Sequence, residues 1–294
     1  MSKILFVVTG ARHWTLKDGT QHPTGYWAEE LVAPFQVFTG AGHQVVVATP
    51  GGVPPVVDEG SLAAEANGGQ ENADALRQAI DDIEQLRSPE SLELVDPTAY
   101  DAVFYPGGHG PMEDLSGDAD SARLLVQTLE SGKPLGIVCH APAALLATEG
   151  SDGSPFSGYK LTGFTNAEET QAGLAEGAPW LLQDRLVALG ADFQEAEPWS
   201  ENVVVDRSLF TGQNPASSGP LARRMLEAIG SGADPAPDRS DAPVVRLTPR
   251  GRRVRRAGPR RRRPAPAPPA RPRSGTRCAA RPPAPTAPAP PCRR

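Results

Sequence analysis

Short apolar runs alternate along the chain with longer segments in which apolar residues recur every three or four positions. The first run is apolar on both faces, which is typical of a strand buried in a parallel sheet. Strands are predicted at residues 4–9, 44–49, 100–105, 135–138, 160–164, 203–205 and 208–211.

Segments with helical spacing lie between these runs. They cover residues 25–38, 72–86, 119–131, 142–147, 181–189 and 212–229, and a further helix starts near Asn166. The alternation predicts an α/β fold, a three-layer sandwich with a mostly parallel, flavodoxin-like sheet covered by helices on both faces.

Cys139 and His140 stand at the end of the fourth run, directly before the helical segment that Pro142 opens. Pro is favoured in the first turn of a helix, so the strand turns into a helix at the cysteine, as in a nucleophile elbow. The N-terminus of that helix would lower the pKa of the thiol. The alternative is a small buried cysteine beside a capping histidine. We favour the catalytic interpretation, because Cys139 is the single cysteine of residues 1–230.

Three other segments of the sequence carry candidate chemistry. Gly107 and Gly108 follow the third run, where backbone N–H groups could approach a ligand or form an ordinary tight turn. Glu30 lies at the edge of the apolar stripe of the first helix, and its spacing favours a solvated surface charge. Asn166 could cap the next helix, with Glu169 as the partner in a capping box.

The net charge of −6 is divided unevenly along the chain. Residues 1–230 hold 12 basic and 32 acidic side chains, whereas residues 231–294 hold 17 basic and 3 acidic ones. Half of the 32 prolines follow residue 230, and no aromatic residue does. We therefore expect one α/β domain over residues 1–230 and an Arg/Pro-rich disordered tail over residues 231–294.

The arginine runs of the tail could bind nucleic acid through phosphates, without sequence specificity. We favour a dispensable tail instead. Its basic residues are all Arg, and it lacks Lys, Ile, Phe, Tyr and Asn. The absent types share AT-rich codons, so a GC-rich gene translated out of frame, or past its stop, would give this composition.

The remaining patterns bear on location. No apolar stretch reaches the roughly 20 residues that span a bilayer, and the first apolar run lacks the pattern of a signal peptide. A single cysteine in residues 1–230 gives no disulfide framework. We therefore expect a cytoplasmic protein with no membrane partner.

Five segments, in this order, resemble the ThiJ/PfpI superfamily of class I glutamine amidotransferase-like proteins. They lie at residues 24–31 (TGYWAEEL), 105–110 (YPGGHG), 136–142 (GIVCHAP), 162–170 (TGFTNAEET) and 211–217 (TGQNPAS). Together they are specific, and the resemblance covers residues 3 to about 229. Within the superfamily, the chain is most similar to the glyoxalase III-like branch of heat-shock chaperone-type members.

The resemblance implies a site built on Cys139 as the nucleophile. His140 would complete a Cys-His-acid arrangement with Glu169, rather than Glu168, as the acid. The resemblance also places Glu30 beside the sulfur, which reverses the surface interpretation of that residue.

The glycine-rich turn would bind the substrate. The resemblance implies an oxyanion hole made by the backbone N–H groups of Gly108 and His109, with Gly107 in the same turn.

The resemblance further implies cofactor-independent conversion of methylglyoxal, a small 2-oxoaldehyde, to lactate, as in glyoxalase III or D-lactate dehydratase-like enzymes. Neither glutathione nor a metal is expected to take part. A homodimer and a role in the stress response are expected. Two alternatives stay open: a cysteine-dependent amidase or peptidase, and a holdase chaperone in which Cys139 senses oxidation. A carboxylate at the sulfur favours the glyoxalase, because simple amide hydrolysis has no need of one.

Overall fold

The computed structural model describes residues 1–231, which alternate strands and helices as the apolar pattern predicts. The strands are β1 Lys3–Val7, β2 His13–Thr15, β3 Gln21–Pro23, β4 Gln44–Thr49, β5 Glu90–Ser91, β6 Ala102–Tyr105, β7 Leu135–Val138, β8 Lys160–Leu161, β9 Asp192–Phe193, β10 Val203–Asp206 and β11 Leu209–Gly212. The α-helices are α1 Ala28–Gly40, α2 Gln70–Asp81, α3 Gly110–Glu113, α4 Ala119–Glu130, α5 Asn166–Gln171, α6 Leu182–Ala188 and α7 Ser218–Ser231.

The main sheet has seven strands. Five parallel strands form its centre in the order β4-β1-β6-β7-β11, which is the flavodoxin-like order. Strand β5 adds in parallel beyond β4, and β10 pairs antiparallel with β11 at the other edge. The predicted α/β fold with a mostly parallel sheet is therefore confirmed.

Helices cover both faces of this sheet. Helices α1 and α7 pack on each other and on the strands, and α4 packs with the 3₁₀ helix Ala141–Thr148 on the opposite face. The side chain of Phe6 in β1 meets Phe38 of α1 and Phe104 of β6, with ring centroids 6.0 and 4.9 Å apart. Burying each such ring stabilises the fold by roughly 1.5–3 kcal/mol.

The strand predicted at residues 160–164 is shorter than expected. Only Lys160–Leu161 is extended, and it pairs with β9 in a separate two-stranded sheet. The next residues turn toward the main sheet instead. The N–H of Thr162 donates to Oγ1 of Thr211, and the N–H of Phe164 donates to the carbonyl of Cys139.

Other predicted boundaries also shift. The helix after Pro142 is a 3₁₀ helix, and the one predicted at residues 72–86 splits into α2 and the 3₁₀ turn Glu84–Leu86. The hairpin of β2 and β3 has no counterpart in the predicted strands. The tail predicted at residues 231–294 lies outside the described residues, apart from Ser231, which ends α7. Within residues 1–231, the helices are too short or too polar to cross a membrane.

Candidate active site

Cys139 occupies the corner between β7 and the 3₁₀ helix Ala141–Thr148. Its φ is 59°, in the left-handed region that residues other than Gly rarely adopt. Its N–H donates to the carbonyl of Gly212 at 2.9 Å, and its carbonyl accepts from the N–H of Phe164 at 2.8 Å. These bonds hold the strained residue between β11 and the loop before α5, so the elbow expected from the sequence is present.

Cys139, His140 and Glu169 form a buried chain of contacts. Sγ of Cys139 lies 3.2 Å from Nδ1 of His140, and Nε2 of His140 lies 2.7 Å from Oε2 of Glu169. Burial alone would raise the pKa of Glu169, but His140 and hydrogen bonds from His109 and His140 hold it well below its usual range. An ionised carboxylate can only accept a hydrogen bond, so the proton facing it lies on Nε2 of His140. Nδ1 is then free to accept the thiol proton, as nucleophilic catalysis requires.

Glu168, the neighbouring carboxylate, is a structural anchor. Its Oε2 accepts from the N–H and the hydroxyl of Thr165 at the start of α5. Its Oε1 accepts from the backbone N–H of Trp199 and from the side-chain amides of Gln213 and Asn214. These five donors occupy both oxygens of Glu168 and leave it no part in the chemistry at the sulfur.

The cap of α5 lies one residue earlier than predicted. The capping box is formed by Thr165 and Glu168, not by Asn166 and Glu169. Glu169 is therefore released from a capping role and reaches His140.

Glu30 is fully buried in the first turn of α1, so the surface interpretation of this residue is wrong. Its Oε2 accepts from the N–H of Gly107 at 2.9 Å, and its Oε1 is buried without a hydrogen-bond partner among residues 1–231. Burial raises the pKa of Glu30 to about 8, against the opposing effects of the Cys139 thiol and the Gly107 N–H. The carboxyl group beside the sulfur is therefore mostly protonated at neutral pH.

The glycine turn after β6 is shaped by these contacts. A Cβ on Gly107 would lie 2.6 Å from Oε2 of Glu30, so no larger residue fits there. Because the N–H of Gly107 already donates to Glu30, it is not available to a substrate oxygen, which corrects the role expected for it. Gly108, at φ 92°, lies close enough to the sulfur for its N–H to lower the pKa of the Cys139 thiol.

The thiol also differs from expectation. Burial raises the pKa of Cys139 well above its usual value, and the carboxyl of Glu30 raises it further, while the N–H of Gly108 opposes both. The lowering of the thiol pKa that is expected from the helix N-terminus is outweighed by these effects. Activation of the sulfur therefore depends on transfer of its proton to His140.

His109 contributes its side chain to the site, in addition to the backbone N–H that the family resemblance implies. Its Nε2 lies 2.9 Å from Oε1 of Glu169, and its ring stacks on Trp14. A signal for it existed in the sequence. His109 and His140 follow neighbouring strands, and the carboxyl ends of parallel strands meet at one edge of the sheet.

His109, His140 and Glu169 are also the side chains among residues 1–231 that could hold a metal ion, since one ligand atom from each lies within 4.8 Å of the others. Hydrogen bonds from both imidazoles to Glu169 already pair these atoms. The geometry therefore supports a hydrogen-bonded unit without requiring a metal.

A cavity of about 60 Å³ leads to the sulfur. Cys139 and His140 line it together with the aromatic residues Trp27, Phe164 and Trp199. The walls are largely apolar, so a substrate that enters the cavity is largely desolvated.

A larger groove of about 560 Å³ lies elsewhere, between α4 and residues 95–98. Its charged residues are all at least partly exposed, and Lys133 already donates to backbone carbonyls. It contains no buried nucleophile or acid, so the small cavity at Cys139 is the candidate active site.

The fold, the elbow and the buried Cys-His-Glu contacts define a cysteine-centred α/β protein, and comparison with known proteins supplies the family. The chain belongs to the DJ-1/PfpI family, whose sequence profile matches residues 24–228. The superfamily resemblance is thereby confirmed.

Individual relatives bear informative names. The protein/nucleic acid deglycase HchA of Pseudomonas aeruginosa (strain UCBPP-PA14) is 30% identical over 245 residues, covering 77% of this chain and 82% of that protein. Glyoxalase III from Candida albicans, a solved structure, is 26% identical with a TM-score of 0.66, covering 77% of this chain and 97% of that one. Rapid Encystment Protein 24 kDa of Francisella tularensis is also 26% identical, with a TM-score of 0.67 and coverages of 78% and 99%.

Proposed function

We propose that this protein converts small 2-oxoaldehydes such as methylglyoxal to 2-hydroxy acids such as lactate, using only its own side chains for the proton transfers. The observation that carries the proposal is the fully buried carboxyl of Glu30 beside the thiol of Cys139, a carboxyl whose pKa is raised by burial. Isomerising an oxoaldehyde requires a group that moves a proton between two adjacent carbons, and amide hydrolysis does not. The similarity to a glyoxalase III structure supports the same activity.

The size of the cavity favours a small substrate. One water-sized group needs roughly 10–15 Å³, so a cavity of about 60 Å³ holds about five such groups. Methylglyoxal has about that many non-hydrogen atoms.

The first step joins the substrate to the sulfur. Sγ of Cys139 attacks the aldehyde carbon, C1, and the thiol proton passes to Nδ1 of His140. The aldehyde oxygen takes a proton from Glu30, with the N–H groups of Gly108 and His109 as the expected oxyanion donors. The product is a hemithioacetal, and Glu30 is left ionised.

The second step moves hydrogen along the substrate. Glu30 removes the hydrogen of C1, and His140 gives its proton to the oxygen of the adjacent carbon, C2, which leaves an enediol. Glu30 then protonates C2 and accepts the proton of the C1 hydroxyl, so C1 becomes a thioester carbonyl. Water deprotonated by His140 attacks the thioester, the S–C1 bond breaks, and the thiol of Cys139 regains a proton. The hydrogen of C1 has moved to C2, and no external electron donor or acceptor is used.

Lactate release from methylglyoxal, without glutathione, tests this proposal. Cys139→Ser should abolish turnover, and Glu30→Gln should lower kcat by about 100-fold or more, since proton transfer by a positioned group contributes at least that much. Glu29→Gln is the matched control, because Glu29 lies in the same turn with an exposed side chain. Equal turnover by wild type and Cys139→Ser, or by the two glutamine variants, would contradict the proposal.

A second candidate is removal of methylglyoxal adducts from amino groups, which the name of the Pseudomonas aeruginosa relative favours. Adducts formed beforehand and freed of unreacted aldehyde distinguish the two. The cavity size predicts that free methylglyoxal is consumed much faster than the adduct of a protein side chain. Faster repair of purified adducts would make the second candidate the principal activity.

A further inference from the structure

Glu169 accepts hydrogen bonds from two buried imidazoles. Nε2 of His140 lies 2.7 Å from Oε2, and Nε2 of His109 lies 2.9 Å from Oε1. The proposed mechanism uses His140 for proton transfer and leaves the side chain of His109 without a stated role.

The proton of His109 can be placed from its surroundings. Burial lowers the pKa of His109, and the neighbouring His140 lowers it further, against the opposing effect of Glu169, so the neutral ring is favoured. Because Glu169 is ionised and can only accept, the proton of the neutral ring lies on Nε2. His109 is therefore a neutral donor, which adds no positive charge to compete with the cation that forms on His140.

Packing fixes the ring of His109 on several sides. It stacks on the indole of Trp14, with ring centroids 5.0 Å apart and planes inclined by 20°. The ring centroid of His140 lies 3.9 Å from that of His109, and the ring centroid of Phe164 lies 6.5 Å from it in an edge-to-face arrangement. Trp14 is itself almost fully buried in β2, so the hairpin that the sequence pattern does not predict supplies the support for His109.

We propose that His109 is a positioning residue for the reaction: its Nε2–H holds Oε1 of Glu169, which keeps Oε2 directed at His140 and Nδ1 of His140 directed at the sulfur of Cys139. Without this donor, one oxygen of a buried carboxylate loses its partner. Glu169 would then turn toward another donor, and the imidazole that must accept the thiol proton would lose its fixed orientation. The inference rests on the proposed function for its effect on turnover, but not for its effect on the sulfur.

Two substitutions separate hydrogen-bond donation from ring packing. His109→Gln keeps an N–H donor near the position of Nε2 but removes the ring. His109→Phe keeps a ring on Trp14 but removes the donor. His109→Asn, whose amide is too short to reach Glu169, is a second variant without the donor and with a different shape.

The expected result is a split between the variants. His109→Phe and His109→Asn should lower kcat for methylglyoxal by about tenfold or more, since they remove part of the contribution of a positioned general base. KM should change much less, and His109→Gln should keep most of the wild-type kcat. Equal loss in the Gln and Phe variants, or full activity in the Phe variant, would overturn the proposal.

Alkylation of Cys139 by iodoacetamide at neutral pH supplies a readout that needs no substrate. The rate should fall in the Phe and Asn variants and stay near wild type in the Gln variant, because proton transfer from the sulfur depends on the orientation of His140. If wild type fails to turn over methylglyoxal but alkylation follows this pattern, the proposed function fails and the role of His109 stands. If methylglyoxal is turned over but alkylation is the same in all variants, the role of His109 is wrong.

Discussion

Two buried carboxylates in this site hold their protons differently, and their partners explain why. Glu169 faces two imidazoles, which keep its pKa low despite burial. Glu30 contacts one backbone N–H and a thiol. These lower its pKa less than burial raises it, so the pKa is raised. Neighbouring titratable groups whose pKa values are shifted in opposite directions are typical of acid–base sites, because one can hold a proton while the other stays charged.

Replacing Glu30 by Gln should stabilise the protein, and more so as the pH rises. The pKa of Glu30 is about 8 in the folded protein, and an unperturbed Glu has a pKa of about 4.3. Between these values the folded state binds more protons than the unfolded state, so wild type loses stability as the pH rises toward 8. Each unit of pKa shift corresponds to about 1.4 kcal/mol, so the loss reaches several kcal/mol. Gln is neutral throughout, and its carbonyl can still accept from Gly107.

Thermal melts of wild type and Glu30→Gln near pH 5 and pH 8 check this expectation. The Tm of Glu30→Gln minus the Tm of wild type should be larger at pH 8 than at pH 5. A Tm difference that does not change with pH would show that Glu30 is ionised in the folded protein.

Glu168 and Glu169 are adjacent on α5 but serve different parts of the structure. Glu168 ties the start of α5 to the backbone of Trp199 and to the turn after β11. Glu169 reaches the two imidazoles. Helix α5 thus has one carboxylate, Glu168, that fixes the helix in place, and a second, Glu169, that is thereby held against the two imidazoles.

Substituting each glutamate by Gln should therefore have different consequences. In Glu168→Gln an amide N–H₂ faces hydrogen-bond donors in a buried site, so the free energy of unfolding should fall by about 2–4 kcal/mol. The alkylation rate of Cys139 should stay near wild type at temperatures where the variant is folded. Glu169→Gln should slow alkylation, because it removes the charge that supports a cation on His140. Urea unfolding and iodoacetamide labelling measure the two effects. Equal slowing in both variants would refute the assignment of Glu168 as an anchor.

The loop that carries Trp199 should set the size of the accepted substrate. Trp199 has a φ of 64°, and its Nε1 donates to Oε1 of Gln171 at 2.6 Å, so the ring is held at the cavity although the side chain is partly exposed. Trp199→Ala should raise the kcat/KM for phenylglyoxal relative to methylglyoxal by about tenfold, the scale of effect that a change in pocket size produces. Trp180→Ala, at a tryptophan that does not line the cavity, is the control. An unchanged ratio in Trp199→Ala would exclude this loop from substrate selection.

The apolar pattern predicts the central strands well and the peripheral ones poorly. Strands β1, β4, β6 and β7 are apolar because helices cover both of their faces, so each is visible as a continuous run. The β2–β3 hairpin is short and mostly exposed, with Trp14 as its buried residue, and it gives no such signal. Residues 161–164 are buried because they lie against the elbow, where the N–H of Phe164 donates to the carbonyl of Cys139, so their burial is not evidence of a strand.

The site is predictable as far as local motifs reach. Cys139 and His140 are marked by the strand-to-helix transition that contains them. Glu30 is different, because its burial comes from the turn at Gly107, which arrives from a distant part of the chain. Helical spacing identifies the face of α1 that meets the sheet, but it cannot show that a loop closes over the end of the helix. The resemblance to a family supplies that placement.

A homodimer stays a prediction, since it rests on the resemblance alone. Light scattering of the purified protein at micromolar concentration should give about twice the chain mass of 31.0 kDa. A mass equal to one chain would reject it.

Removing the residues after Ser231 should leave both stability and turnover unchanged. Helix α7 ends at Ser231, and the family match ends at residue 228, so the sheet, its helices and the site are complete before the tail begins. The removed residues include no aromatic side chain, which gives them little apolar surface to pack on a domain. We therefore expect the truncated protein to match the full chain in Tm within about 2 °C and in kcat/KM for methylglyoxal within about twofold, because surface changes away from packed features alter stability by only about 0.5 kcal/mol. Melting curves and lactate assays on the two proteins side by side measure this. A drop of many degrees, or a large loss of turnover on truncation, would show that the tail contacts the domain.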